Sequence, residues 1–187
     1  MSVEVPVARA DAVRAINQRW LLKLWQRHLG EHHVPQWQSV EAENLVKISA
    51  TLSLLDVTAT ASGTRYLIRY HGATIGEVYG SSNCRGRFLD EIIPRERCAI
   101  ALAPYNHAVK AGRPVYTIHD VKDRDKRVVH FERLLLPFGR DGQGVDRVLA
   151  SFEFVCPDGA FTAAGLLSAQ IEPPNLRFCA EIDAKPR

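Results

Sequence analysis

The sequence predicts an α+β fold: a five-stranded antiparallel sheet with short lid helices and one longer helix on one face, plus an N-terminal amphipathic helix. Three observations carry this expectation. Five runs read as strands, the one at 66–71 with the period of 2 that marks a half-buried strand. Neighbouring runs are joined by hairpin-length turns at 59–64, 123–126 and 139–144, which makes them antiparallel. Between the second run and the third lies a stretch of helical composition punctuated by Gly80, Gly86 and Pro94, so helices collect against the sheet.

Taken in order, residues 1–10 carry no pattern and read as a tail. From 11 to 29 the spacing is helical: Val13, Ile16, Trp20 and Leu24 form one stripe, and Leu21 and Trp25 widen it. Asp11 is a candidate N-cap and Gly30 the stop. Two tryptophans on adjoining faces allow two readings, packing on the outside of the sheet or contact with a second copy of the chain. The second predicts a homodimer through this helix. Residues 31–38 hold His32 and His33, but adjacent histidines without further partners at ligand spacing give no metal site. Residues 39–46 read as a short helical turn.

The first strand is read at 52–57, and the hairpin loop at 59–64 leads into a second strand at 66–71. There Tyr66, Ile68 and Tyr70 alternate with Leu67, Arg69 and His71, and Gly72 ends the run. Two short helical pieces come next as a lid, closing on Leu89, Ile92, Ile93 and Pro94. A lid over a cupped sheet makes a pocket, where small ligands sit. Residues 95–111 form the longer helix, in which Pro104 predicts a kink or break near Ala103. Gly112 suits the position after the helix, and Pro114 acts as a stop. Strands are read at 115–121, 128–138 and 145–154, the last with Val148, Ala150, Phe152 and Phe154 on one face. Past residue 156 the chain reads as a helix at 159–169 and a strand at 176–182, separated by Glu172, Pro173 and Pro174. The organisation is a tail and helix at 1–30, a core at 31–156 and an extension at 157–187.

Composition narrows the function classes. The chain has 187 residues, 46% apolar and 24% charged, which is enough for one domain with a sizeable core. A net charge of +3 from well-mixed basic and acidic residues gives no nucleic-acid footprint. Cys84, Cys98, Cys156 and Cys179 are far apart with no C-x-x-C pair, as expected of reduced thiols in a cytosolic protein. No signal-peptide or membrane-spanning run is present, so the expected location is cytoplasmic.

Several stretches resemble PAS domains, in particular the short single-domain PAS-like proteins common in alphaproteobacteria. They are Leu54-Leu55-Asp56-Val57, Arg69-Tyr70-His71-Gly72-Ala73-Thr74-Ile75, Tyr79-Gly80, Gly86-Arg87-Phe88-Leu89-Asp90-Glu91-Ile92, and Arg133-Leu134-Leu135-Leu136-Pro137-Phe138 with Asp141-Gly142. The likeness covers roughly residues 20 to 155 and includes the order of the elements. It implies a sensory or regulatory module that binds a small molecule or a partner protein and signals through protein–protein contact, not a catalyst.

Ser82-Asn83-Cys84-Arg85 with Phe88-Leu89 is similar to the flavin motif of blue-light PAS domains, whose cysteine bonds the flavin. The register argues against that chemistry, because Gly86 and Arg87 interrupt the motif and Leu89 falls where the cysteine would stand. Haem-binding PAS domains use a histidine on the long helix, the location of His107, yet a lone histidine next to Pro104 is a weak axial ligand. No cofactor is therefore expected. Arg85, Arg87, Arg95 and Arg97 cluster about the lid with Asp90, Glu91 and Glu96. They read first as a mutually paired surface and second as an attractor for an anionic ligand. For a pocket without cofactor, the polar candidates are Tyr70, Tyr105, His107 and His119. The rival class is a hydrolase or isomerase acting on a small substrate, with His119 beside Asp120 or Asp56 as its acid–base pair. None of the familiar hydrolase, zinc-protease or nucleotide-binding motifs is present.

Overall fold

Period-2 alternation gives each strand two unlike faces, and both are covered in the folded chain. A computed structural model describes residues 5–41, 43–61, 63–81, 84–168 and 174–183. The strands are β1 (Val7–Ala8), β2 (Leu52–Thr60), β3 (Gly63–His71), β4 (Val115–Lys122), β5 (Val128–Phe138), β6 (Arg147–Val155) and β7 (Asn175–Ile182). They form one sheet in the order β1-β7-β4-β5-β6-β2-β3. The helices are α1 (Ile16–Leu29), α2 (Trp37–Glu41), α3 (Ala73–Val78) and α4 (Arg95–Ala111), with a single 3-10 turn at Leu89–Glu91 between the last two.

The five expected strands, now β2 to β6, pair antiparallel throughout. The five-stranded antiparallel expectation is nevertheless corrected, because the sheet has seven strands and is mixed. β7 pairs antiparallel with the outer edge of β4, and the two residues of β1 pair parallel with β7, Val7 opposite Glu181. The supposed tail therefore contributes a strand. Two residues are too few to show an alternation, and their partner lies at the far end of the chain. The turn from Ala163 to Ser168 replaces the helix expected at 159–169, while Ala169, Glu172 and Pro173 lie outside the described residues. Backbone N–H groups of Gly165 and Leu167 donate to the carbonyls of Glu77 and Val78, so this segment is fastened to the end of α3.

On the inner face lie Leu55, Tyr66, Ile68, Val115, Val121, Phe131, Leu135, Val148, Ala150 and Phe152, roofed by Ile75, Val78, Leu89, Ile93, Tyr105 and Ala108. On the outer face lie Tyr116, Ile118, Leu134, Leu136, Phe138 and Leu149, under Leu21, Leu22, Leu24 and Trp25 of α1. The sheet is thus the middle of three layers, with the lid and α4 on one side and α1 with α2 on the other. β5 is buried along nearly its whole length, as the strand at the centre must be.

The α1 stripe differs from the one expected. Ile16 and Trp20 face outward, 76% and 39% exposed, whereas Gln18, Leu21, Leu22, Leu24 and Trp25 are buried. A polar residue takes a core position where its amide nitrogen is satisfied: Gln18 Nε2 donates to the carbonyls of Glu132 and Ser151, at 3.2 and 3.1 Å, while its Oε1 has no partner. Trp25 Nε1 donates to the Pro137 carbonyl at 2.6 Å, and this bond pins α1 to the central strand β5. Asp11 does not cap α1, which starts at Ile16 after a short 3-10 turn at Ala10–Ala12. α4 runs unbroken through Pro104, so no break occurs near Ala103. Proline removes one N–H from the helix ladder, and Arg133 Nη1 donates to the Ala101 carbonyl in that turn at 3.4 Å.

One irregularity redirects a predicted site residue. Leu55 pairs with Ile68 but Leu54 pairs with Tyr70, so Arg69 is an extra residue, a β-bulge. Past the bulge the parity of β3 inverts. Tyr70 goes to the outer side, where its hydroxyl donates to the Ser49 carbonyl at 3.1 Å, and His71 turns inward.

The two tryptophans of α1 should therefore behave differently. Trp25→Ala removes a fully buried indole and orphans the Pro137 carbonyl, and should cost about 3–5 kcal/mol in urea unfolding. Trp20→Ala should cost less than about 1 kcal/mol. Equal losses would contradict the packing described.

Candidate ligand-binding site

The inner faces of β4 and β5 set four side chains in register. Thr117 stands opposite Arg133, and His119 opposite Phe131. Above them α4 contributes Arg97, Ile100 and Ala101, and the lid contributes Tyr79, Ile93 and Pro94. Leu167 and Pro174 close the side. Between these groups lies a cavity of about 50 Å³, lined by His119, Phe131 and Arg133 from the sheet. By the volume one water centre needs, that is space for roughly four waters.

The polar groups of this site are incompletely satisfied. His119 is 7% exposed and stacks on Phe131, with centroids 4.6 Å apart and planes 6° from parallel. Its Nδ1 is buried with no hydrogen-bond partner. Burial, aided by the nearby Arg133 charge, lowers its pKa from 6.5 to about 3, so the ring is neutral at physiological pH. Arg133 is 3% exposed. Its guanidinium carbon sits 4.8 Å from the centre of the Tyr105 ring, a cation–π contact, and its Nε has no partner. Arg97 is also buried, its Nη1 donating to the Leu167 carbonyl at 3.2 Å. Among the described residues neither arginine is paired with a carboxylate, whereas Arg65, Arg69, Arg87, Arg147 and Arg177 all are.

The four candidates read from the sequence are scattered by the fold. His119 lines the cavity. Tyr105 is buried directly beneath Arg133, where burial raises its pKa and the arginine charge opposes that rise. His107 projects from α4 to β7 instead, its Nε2 3.1 Å from Glu181 Oε2. Tyr70 is on the opposite face, sent there by the bulge. In its place His71 turns inward, with Nδ1 2.9 Å from Ser53 Oγ and its ring 5.7 Å from that of Tyr79. Burial lowers the His71 pKa to about 4.

The acid–base pair of the enzyme reading does not assemble. Asp120 points away from His119 and engages His130 and Arg177. Asp56 lies on the outer face between Arg69 and Arg147. Cys84 is buried with its Sγ 3.6 Å from the Ser81 carbonyl and does not line the cavity. Ser82 and Asn83 of the same motif lie outside the described residues. Among the described residues no group of three or more His, Cys, Asp or Glu side chains could hold a metal ion.

Arg133, the most deeply buried charge of the site, was legible in part. Val129, Phe131, Arg133 and Leu135 share one parity of β5, so a cation was due on the core face of an apolar run. Arg97 was grouped with the lid charges, but its position on the first turn of α4 turns it inward, while Arg65 and Arg87 pair with Asp90 and Glu91.

No family model matches the chain, and no curated protein matches it. Among solved structures, that of a LOV protein of Rhodobacter sphaeroides is similar at 17% sequence identity and a TM-score of 0.42. The likeness covers 58% of this chain and 60% of that one, less than two thirds of its length. No helix among the described residues is long and apolar enough to cross a membrane.

The neutral His119 ring has a pH signature. Its folded pKa lies below its ordinary 6.5, so the unfolded chain takes up a proton that the folded chain resists. Its contribution to stability is complete above about pH 6.5 and is lost as pH falls toward about 3. Between pH 6.5 and 4.5, wild type should lose about 2 kcal/mol more than His119→Leu in urea unfolding. Parallel pH profiles for the two proteins would refute the burial of a neutral ring here.

Proposed function

We propose that this chain is a cytoplasmic sensory or regulatory module of PAS type that binds a small molecule in the cavity between α4 and the sheet and signals through contact with another protein chain. The observation that carries the reading is the cavity itself, a mostly apolar space whose lining includes the polar residues His119, Arg97 and Arg133, which is the usual form of a small-molecule site. The chain order of strand pair, short helices, long helix and strand triplet, on which the PAS resemblance rests, supports the same reading. Among the described residues no carboxylate orients His119, which favours binding over catalysis.

A route for the signal is built into β5. Arg133 faces the cavity, and the carbonyl of the preceding Glu132 is held by Gln18 of α1 on the other side of the sheet. A ligand that displaces Arg133 shifts the strand that α1 grips, so occupancy biases the position of α1. The outward Ile16 and Trp20 on that helix offer an apolar contact for a second copy, which makes a homodimer through α1 part of the proposal.

Ala101 lines the cavity from α4, so Ala101→Leu should fill it with little damage to the rest of the core. In a thermal-shift screen against small metabolites, wild type should gain Tm with at least one compound, and this variant should not respond to it. A wild type without any responding compound would count against a ligand-binding module. For the dimer, light scattering after size exclusion at tens of micromolar should give a dimer for wild type and a folded monomer for Trp20→Glu. A monomeric wild type would remove the α1 interface from the proposal.

A further inference from the structure

We propose that the ligand of this cavity is a short-chain monocarboxylate, held by the guanidinium groups of Arg133 and Arg97. The inference rests on the ligand-binding reading above and specifies its chemistry.

The first ground is charge. Burying an ionised group without a counter-charge is costly, and most side chains escape by changing protonation state. An arginine cannot, because its guanidinium stays protonated throughout the accessible range. His119 is neutral, and the groups that do touch the two arginines are the Tyr105 side chain, through its ring and a hydrogen bond to Arg133, and two backbone carbonyls, at 3.4 Å for Arg133 and 3.2 Å for Arg97. Two buried cations thus border one cavity, and no described carboxylate neutralises either. An anion is the missing partner.

The second ground is geometry. Arg133 Nε and His119 Nδ1 are both buried and unpartnered, and both residues line the cavity. A carboxylate presents two oxygens that match the fork of a guanidinium, and Arg133 and Arg97 both line this one cavity.

The third ground is size and lining. About 50 Å³ holds roughly four or five heavy atoms. Apart from Tyr79, the rest of the wall is apolar, with Ile93, Pro94, Ile100, Phe131 and Leu167, which suits a short aliphatic stem. A tetrahedral oxyanion fits the arginines but leaves this apolar wall against polar oxygens.

The test titrates the full-length protein with sodium acetate, propionate and butyrate, against sodium phosphate and sodium chloride at matched ionic strength, by calorimetry and thermal shift. Propionate should bind saturably and raise Tm, phosphate should bind more weakly, and chloride should do nothing. Arg133→Met, an apolar near-isostere, should weaken propionate binding by on the order of tenfold or more. Without ligand it should unfold no earlier than wild type, because it removes an unpaired buried charge. Arg97→Gln gives the same binding test independently, should Arg133→Met fail to fold. Tighter binding of phosphate than of propionate would overturn the carboxylate assignment. Unchanged propionate affinity in the folded arginine variants would overturn the role of the arginines. If neutral compounds protect wild type but not Ala101→Leu while no carboxylate binds, the inference falls and the ligand-binding module stands; if no compound of either kind binds, both fall.

Discussion

The structure depends on β5 being buried on both faces. A strand in that position must carry side chains suited to two different environments on alternate residues, and the sequence from Val129 to Phe138 does so. Phe131, Arg133 and Leu135 go to the inner side, and Glu132, Leu134, Leu136 and Phe138 to the outer side. Everything packed on the sheet is referred to this strand. α1 is tied to it by Trp25 and Gln18, and α4 is tied to it by Arg133.

Both faces bury polar groups. On the outer face Gln18 Nε2 donates to two carbonyls and the Tyr116 hydroxyl donates to Glu132 at 2.6 Å, while Gln18 Oε1, Trp37 Nε1 and Ser151 Oγ are left without partners. On the inner face Arg133 Nε, His119 Nδ1, His71 Nε2 and Thr117 Oγ1 are left without partners. Well-packed proteins satisfy nearly all buried donors and acceptors, and two of the exceptions here belong to His119 and Arg133, which line the cavity. Arg133 and Glu132 are neighbours in the chain with opposite orientations. The site is therefore joined to α1 through a single peptide unit and a hydrogen bond, without any long relay of side chains.

The C-terminal segment is part of this construction. Residues 163–168 bind the end of α3 through the backbone, Leu166 and Leu167 enter the inner core, and Leu167 supplies both a cavity wall and the carbonyl that Arg97 grips. β7 then widens the sheet beside β4, with Cys179 opposite Thr117. A stretch with no clear periodicity of its own is ordered by what it covers.

By itself the sequence determined the features that short-range patterning controls. The five central strands, their hairpins, the lid broken by glycines, the helix ending at Gly112 and the shared face of Thr117 and His119 all rest on residues within a few positions of one another, where steric and hydrophobic periodicity act directly. Tertiary structure decided the features that depend on distant partners. Val7 and Ala8 become a strand only because β7 offers an edge. Gln18 replaces Ile16 and Trp20 in the core only because two strand carbonyls await it. A single bulge at Arg69, invisible in the alternation, exchanges Tyr70 for His71 at the inner face. The candidate site lay between these limits. Its residues could be assigned to faces, but which of them remain unpartnered around a common space depends on where α4, the lid and the C-terminal segment place their own charges, and no local pattern records that.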